Sequence, residues 1–452
     1  MTERSTQLSA RGREDPPTPR PPAGGDAKTA AYPASYYAAT ANPAPERPPL
    51  QGGHDTEIAV LGAGYTGLSC ALALAERGHK VTVLEAHKVG WGASGRNGGQ
   101  IVNGLNAGLA KIGDLHGRDI QDFVGRLLTE GAGIIRDRVA RYAIDCDLKP
   151  GNLFAATNPA QLKDLEAEKK LWARYDAGEF EWVDRAGIRA HVGTDVYAGG
   201  LIDWSGGHLH PLNLALGEAA ALESLGGTVH ETSRVTEIHP GPRPALITET
   251  GRLTCRTLVL AGNAYLGKTA PRLAPRILPA ATQIVATEPL GAKAREILPT
   301  DLCVEDLRYI LDYFRLSADG RLLFGGGTIY GGRSPRDIAA KLRPNLARVF
   351  PALADTPFTH AWSGNIALTL NRIPQLGRLD DDTYFAHGYS GHGVTGSHLF
   401  GRILAEAIDG DLTRFDTFAD LPSRSFPGGQ SWAVPYSVLG SWWYGLRDRL
   451  GI

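Results

Sequence analysis

The sequence predicts an α/β fold: a parallel sheet of strand–helix–strand units, joined to a second domain of mixed and antiparallel sheet with α+β character. Three stretches carry that expectation. Residues 56–61 (TEIAVL), 65–77 and 80–84 read as a buried strand, a helix closed by Gly78, and a second strand. Residues 211–225, 228–238, 244–251 and 257–261 then read as a helix followed by strands, the last ending in Gly262-Asn263. Residues 309–316 alternate, Asp319-Gly320 makes a hairpin turn and 321–324 return, which is antiparallel texture. Toward the C-terminus 382–387 is a strand, 388–396 is glycine-rich and 397–408 is a helix.

Composition narrows the class. The chain has 452 residues, 42% hydrophobic and 21% charged, enough for a sizeable core. Lys plus Arg (47) balances Asp plus Glu (48), which argues against a nucleic-acid binder relying on bulk charge. Glycine is over-represented, at 56 residues, about 12% against a usual ~7%. Some segments must therefore adopt unusual backbone conformations or approach a ligand closely. Four separated cysteines (Cys70, Cys146, Cys255, Cys303) form no CxxC or Cys/His cluster, so no metal site is expected and a reduced, cytoplasmic chain is. The uncharged run Ile58–Ala75 reaches the ~18 residues of a candidate membrane helix. It contains Gly62, Gly64 and Gly67, and the strand–helix reading explains it without a membrane.

Residues 62–67 (GAGYTG) give the GxGxxG spacing, preceded by a strand and followed by a helix. Gly62 permits the tight turn, Gly64 lets the backbone approach a pyrophosphate, and Gly67 lets helix and strand pack closely. Exposed N–H groups at the helix start, at Tyr65 and Thr66, supply the anion site. Glu85, followed by Ala86, ends the next strand, where an acid accepts hydrogen bonds from ribose hydroxyls and repels a 2′-phosphate. Together these specify a Rossmann-like dinucleotide site.

Two further segments, WGASGRNGGQ at 91–100 and GYSGHGVTGS at 388–397, decide which dinucleotide. With them the sequence resembles the D-amino-acid-oxidase-like FAD-dependent oxidoreductases, and within that family the branch acting on γ-glutamylputrescine, over residues 35 to 452. The resemblance implies FAD. It implies that Gly92, Ala93, Ser94, Arg96, Asn97, Gly98, Gly99 and Gln100 lie beside the isoalloxazine. It also brings Gly388, Ser390, Gly391, His392, Gly393, Val394 and Thr395 to the pyrimidine edge, where a helix N-terminus would meet its negative charge. Val235 matches a position that contacts adenine through its backbone, and Gly262-Asn263 would close over the cofactor. Some relatives carry a cysteinyl flavin link from their C-terminal portion. No Cys follows Cys303, so a non-covalent FAD is expected, with a histidyl link through His392 or His87 as the alternative.

The expected division is a Pro-rich disordered tail at 1–34, a discontinuous FAD domain at 35–145, 200–275 and 360–452, and a substrate domain at 146–199 and 276–359. The resemblance implies hydride transfer from a small-molecule amine to flavin, giving an aldehyde and ammonia, with dioxygen reoxidising the flavin to give peroxide. Many relatives that oxidise amino acids carry a carboxylate-binding Arg in the stretch matching 361–379, whereas Asn365–Asn371 here has no cation. An amine remote from its carboxylate is therefore favoured, with Arg315 or Arg372 as the alternative clamp. Trp362 and Tyr313 are candidate walls for an alkylamine, and His392 a candidate proton acceptor. Two other readings stand beside this one: a secondary-amine or amino-acid dehydrogenase passing electrons to a quinone, and a flavin-bearing subunit or RNA-modification module. The aromatic tail at 431–450 reads as packing on its own domain or lying at a membrane surface. Oligomeric state has no signal in the sequence.

Overall fold

The computed structural model describes residues 31–331, 337–427, 434–435 and 438. The disordered-tail expectation for 1–34 lies almost wholly outside the described residues, as does that for 431–450. The strands form two sheets. In the first, strands Thr383–His387, Gly251–Leu260, Gly52–Leu61, Val81–Leu84 and Thr228–His230 run parallel in that order, with Gln375–Asp380 antiparallel at one edge. The predicted strand–helix–strand unit is present as Gly52–Leu61, Tyr65–Ala75 and Val81–Leu84. Helix Tyr65–Ala75 is buried along its whole length, since Gly393–Ile408 and Pro211–Ser224 pack on it. Such a helix reads as apolar all round, which is why its sequence also met the length criterion for a membrane span. No helix among the described residues is long and apolar enough to cross a membrane.

The second sheet runs Phe358–Leu368, Leu278–Thr287, Leu322–Tyr330, Asp312–Leu316, Cys303–Asp306, Lys149–Ala156, Gly199–His208 and Gln100–Ile101. One face packs against helix Ile338–Val349. The other shares a core with the first sheet's helices. This sheet takes in strands that the sequence reading placed with the FAD domain. Gly199–His208 pairs antiparallel with Lys149–Ala156, and Phe358–Leu368 pairs along its length with Leu278–Thr287. No linker composition marks these crossings, because the chain passes between sheets inside continuous core segments. The final helix also starts at Gly393 rather than Ser397.

The segment at 35–50 docks as expected. Ser35 caps a short helix, Tyr36 and Tyr37 are buried, and Tyr36 donates to Asp319 in the predicted hairpin turn (2.8 Å).

Beneath the first sheet's helices lies a buried ionic cluster. Glu218 accepts from Arg138 (2.8 Å) and lies 3.0 Å from His398 Nε2, while Arg138 also donates to the Ser69 carbonyl (2.9 Å). Burial acts to raise the Glu218 carboxyl, but His398 and Arg138 outweigh it and hold it below the usual glutamate range. A depressed carboxyl stabilises the fold above its unfolded value, and that contribution is lost as pH falls through the folded value. Glu218→Gln should lower the melting temperature at pH 7, costing about 3 kcal/mol by stranding Arg138. The gap from wild type should narrow as the pH drops below the ordinary glutamate range, which calorimetry from about pH 7 down to about pH 2 would read.

Candidate active site

Between the sheets lies a cleft of about 1540 Å³ including its open mouth. Its floor is the turn after the first strand. Gly62 sits at φ +108°, and a Cβ on Gly67 would overlap the Gly62 carbonyl oxygen, so that glycine lies under the turn and sets its tightness. Gly64 precedes helix Tyr65–Ala75 and offers no side chain of its own to cap it. A Cβ on Gly64 would come 2.9 Å from Ser94 Oγ, and that oxygen accepts from Tyr65 N (2.9 Å). The first loop and the 92–97 segment therefore close on each other across the cleft. Glu85 follows the second strand and accepts from Ala63 N and His87 N (both 2.9 Å). Burial raises its carboxyl against these two donors.

The 388–394 loop forms the opposite wall. Asn263, at φ +45°, accepts from Gly388 N (3.0 Å), tying the end of strand Gly251–Leu260 to this loop. Ser390 holds φ +57° because its Oγ accepts from Thr369 N (3.1 Å) and its own N–H donates to Ala367 (3.0 Å). Helix Gly393–Ile408 then starts with no side-chain cap, and Gly393 and Val394 line the cleft. Two helix N-termini thus open into one space, an arrangement that favours bound negative charge.

The family profile described as DAO, FAD dependent oxidoreductase, matches residues 57–407. The chain belongs to this FAD-dependent oxidoreductase family. It is 49% identical over 420 residues to γ-glutamylputrescine oxidoreductase of Escherichia coli, covering 92% of this chain and 99% of that protein. A probable oxidoreductase of Haemophilus influenzae is 38% identical over 423 residues, covering 92% and 97%. Among solved structures, glycine oxidase from Geobacillus kaustophilus (TM-score 0.66, 21% identity, 80% of this chain and 98% of that one) shares the fold. So does L-proline dehydrogenase from P. horikoshii (TM-score 0.67, 20% identity, 86% and 99%).

The cleft of this oxidoreductase fits FAD: close glycine turns, two helix starts and an acid at the second strand's end meet in one space. Of the expected cofactor residues, Gly62, Gly64, Tyr65, Thr66, Glu85, Ala86, Gly92, Ala93, Ser94, Asn97, Val235, Gly262, Asn263, Ser390, Gly391, Gly393 and Val394 line it. Others support it from behind. Arg96 donates to the carbonyls of Gly92 and Ser363 (both 3.1 Å) and to Tyr265 (2.8 Å), Gly99 N donates to Asn97 Oδ1 (2.7 Å), and Gln100 donates to the Val304 carbonyl (3.1 Å). Thr395 donates to the Val102 carbonyl (2.6 Å), and Gly388 abuts Thr369.

The expected substrate-side residues fare differently. Trp362 is buried and donates to the Arg96 carbonyl (3.0 Å), so it braces the 92–99 segment instead of walling the cleft. His392 does not line the cleft. Burial lowers its ring to about 4, with Nδ1 unpartnered and the ring turned to the Gly104 backbone. Arg315 cannot be a carboxylate clamp: it donates to the carbonyls of Gly98 (2.7 Å), Leu209 (2.7 Å) and Leu316 (3.0 Å), and to Tyr37 (3.1 Å). Arg372 sits outside the cleft in a turn at φ +67°. Cleft residues that sequence reasoning missed include Trp91, Arg234, Tyr265 and Ile366. Their signal was position beside recognised motif residues, and nothing in their own types marked them.

Gly64→Val should weaken FAD binding by about tenfold or more, since even its Cβ crowds Ser94 where the backbone must approach phosphate. The ratio of flavin absorbance to protein, with unchanged far-UV dichroism, measures it.

Proposed function

We propose that the protein oxidises a primary amine on an alkyl chain, γ-glutamylputrescine or a similar aminoalkyl compound. In the balanced reaction, amine, dioxygen and water give aldehyde, ammonia and hydrogen peroxide. FAD, when bound, supplies the two-electron acceptor for the hydride on the carbon beside nitrogen. Its expected holders are the Gly62–Thr66 turn, Glu85, the 92–97 segment and Gly391–Val394.

The observation that carries this reading is how the arginines near the cleft are used. Arg315 and Arg96 donate to carbonyls and tyrosine hydroxyls, Arg234 in the cleft lining meets His87 Nε2 (2.8 Å), and Asn365–Asn371 contributes no cation. Among the described residues no guanidinium there is free to clamp a carboxylate beside the reacting carbon, and the 49% identical relative is named for an amine without one there. The chain's own part is to bury the alkyl chain, exclude water and favour the neutral amine. The start of helix Gly393–Ile408 accommodates negative charge, and His392, held neutral by burial, adds no positive charge to it.

Non-covalent attachment is supported by the side chains near the cleft. The four cysteines are buried and none lines it, His392 is turned away, and His87 stacks on Trp91 (3.9 Å) at the Glu85 end. Buried free thiols also suit a reduced, cytoplasmic setting.

A panel of amines and amino acids, with the product identified by mass spectrometry, tests the reaction. Diamines or γ-glutamylated diamines should exceed D- and L-amino acids in kcat/KM by about tenfold or more; the reverse order would sink the reading. Acid precipitation should leave the yellow colour in the supernatant, and colour retained by the pellet would mean a covalent link.

The rate of anaerobic flavin reduction should rise with pH. An alkylamine resembles Lys, with a pKa of about 10.4, so between pH 7 and 9 its neutral fraction grows about tenfold per unit. Only the neutral form keeps the nitrogen lone pair, so the rate climbs with it. A flat single-turnover profile from pH 6 to 9 would contradict the mechanism.

A further inference from the structure

The inner face of the second sheet carries a carboxylate that nothing above uses. Strand Cys303–Asp306 lies mid-sheet, between Lys149–Ala156 and Asp312–Leu316. Its alternate residues divide. Val304 joins Leu153, Phe314 and Phe324 in the core beneath helix Ile338–Val349, so Glu305 faces the other way. A row of paired positions crosses the sheet here: Phe154, Glu305, Tyr313, Gly325, Ile284 and Trp362. Ile284 and Trp362 pack in the core shared with the first sheet's helices, so this row lies on the second sheet's inner face.

Glu305 is the one charged member of those six. It is half-buried in mid-sheet, and no hydrogen bond or opposite charge acts on its carboxyl among the described residues; burial, then Asp306, push it up to about 7. Nearby cations are committed elsewhere. Arg308 pairs with Asp306 (2.7 Å), Arg348 with Asp312 (2.9 Å), and Arg315 with carbonyls and Tyr37. The Cys303 thiol, on the same face, is turned to the Asn152 side chain (3.0 Å) and the Gly207 carbonyl (3.2 Å). A carboxylate held this way costs stability unless a cation arrives to meet it.

The cleft is adjacent. Asn97 lines it, and a Cβ on the next residue, Gly98, would come 2.9 Å from the Tyr313 ring. A Cβ on Gly325 would overlap the same ring. Two glycines thus make room for Tyr313 beside the 97–98 backbone, and Glu305 is its cross-strand partner with Phe154 on the other side.

The geometry points to Glu305 as the residue that takes the ammonium of an alkylamine, between Phe154 and Tyr313. Naming an amine as the ligand rests on the functional reading above. A carboxylate flanked by aromatic rings holds an ammonium by charge and cation–π attraction, and repels the carboxylate of an amino acid.

The test uses the FAD-loaded enzyme and its Glu305→Gln variant. The probe is tert-butylamine, which carries an ammonium but no hydrogen on the carbon beside nitrogen and so binds without turnover. Calorimetry should show at least about tenfold weaker binding to the variant. Its flavin content should be unchanged and its melting temperature equal or higher, because a buried charge has been removed. Equal affinity in the two proteins would overturn the assignment, and so would a variant that melts lower and loses flavin, which would mark a structural role. KM for 1,4-diaminobutane and for 1-butylamine adds a second readout. A rise for the diamine alone is expected, since the reacting nitrogen must be neutral while the far one stays charged at Glu305; a rise for both, or for neither, contradicts the proposal. Glu305-dependent binding of tert-butylamine, with no amine in the panel oxidised, would defeat the functional reading and leave the ammonium site standing.

Discussion

Everything about the cleft depends on how the 92–99 segment and the N-terminal docking segment are held against the second sheet, and Arg315 holds them. Its guanidinium is 2% exposed and reaches the carbonyls of Gly98 and Leu209, its own neighbour Leu316, and the hydroxyl of Tyr37. A buried cation is costly unless its donors are satisfied, and here the acceptors come from four separate parts of the chain. The second sheet, the 92–99 segment, the strand ending at His208 and the N-terminal docking segment are therefore fixed to one point. A side chain in such a position shapes the site without entering it.

That fixed frame lets two weakly specific devices act together. A glycine turn or an uncapped helix start binds anions modestly by itself. Here Tyr65–Ala75 and Gly393–Ile408 pack on each other with both starts opening into the same cleft, and Tyr389 hydroxyl meets Thr66 Oγ1 at 2.8 Å between them. Asn263 adds the third tie, from the strand end to Gly388. The cleft is thus rigid at its phosphate end and bounded by backbone, which suits a large cofactor recognised mostly through main-chain donors.

What the sequence revealed followed the range of the contacts involved. Gly62, Gly64, Gly67 and Glu85 act within one strand–helix–strand unit, so their spacing alone was informative. The 388–394 loop meets the turn only in three dimensions, and family resemblance, not local pattern, made it visible. Trp362 and His392 were chosen by type and neighbourhood; which way each faces is set by strand register and by the start of the final helix, which no local pattern states. Arg315 had the chemistry of a clamp, and only the four acceptors around it show that its donors are used. Glu305 was the least legible, because a Glu within CVEDL has no signature until several strands are placed in register.

The central claim is that a single FAD lies in the cleft between the sheets, held by this chain's backbone. A crystal structure of the flavin-loaded protein tests it most directly. The account predicts the pyrophosphate at the Gly62–Thr66 turn and the isoalloxazine between the 92–97 segment and Gly391–Val394, with no bond to His392 or His87. A pyrophosphate seated elsewhere, or a ring lying outside the space between those two segments, would contradict it.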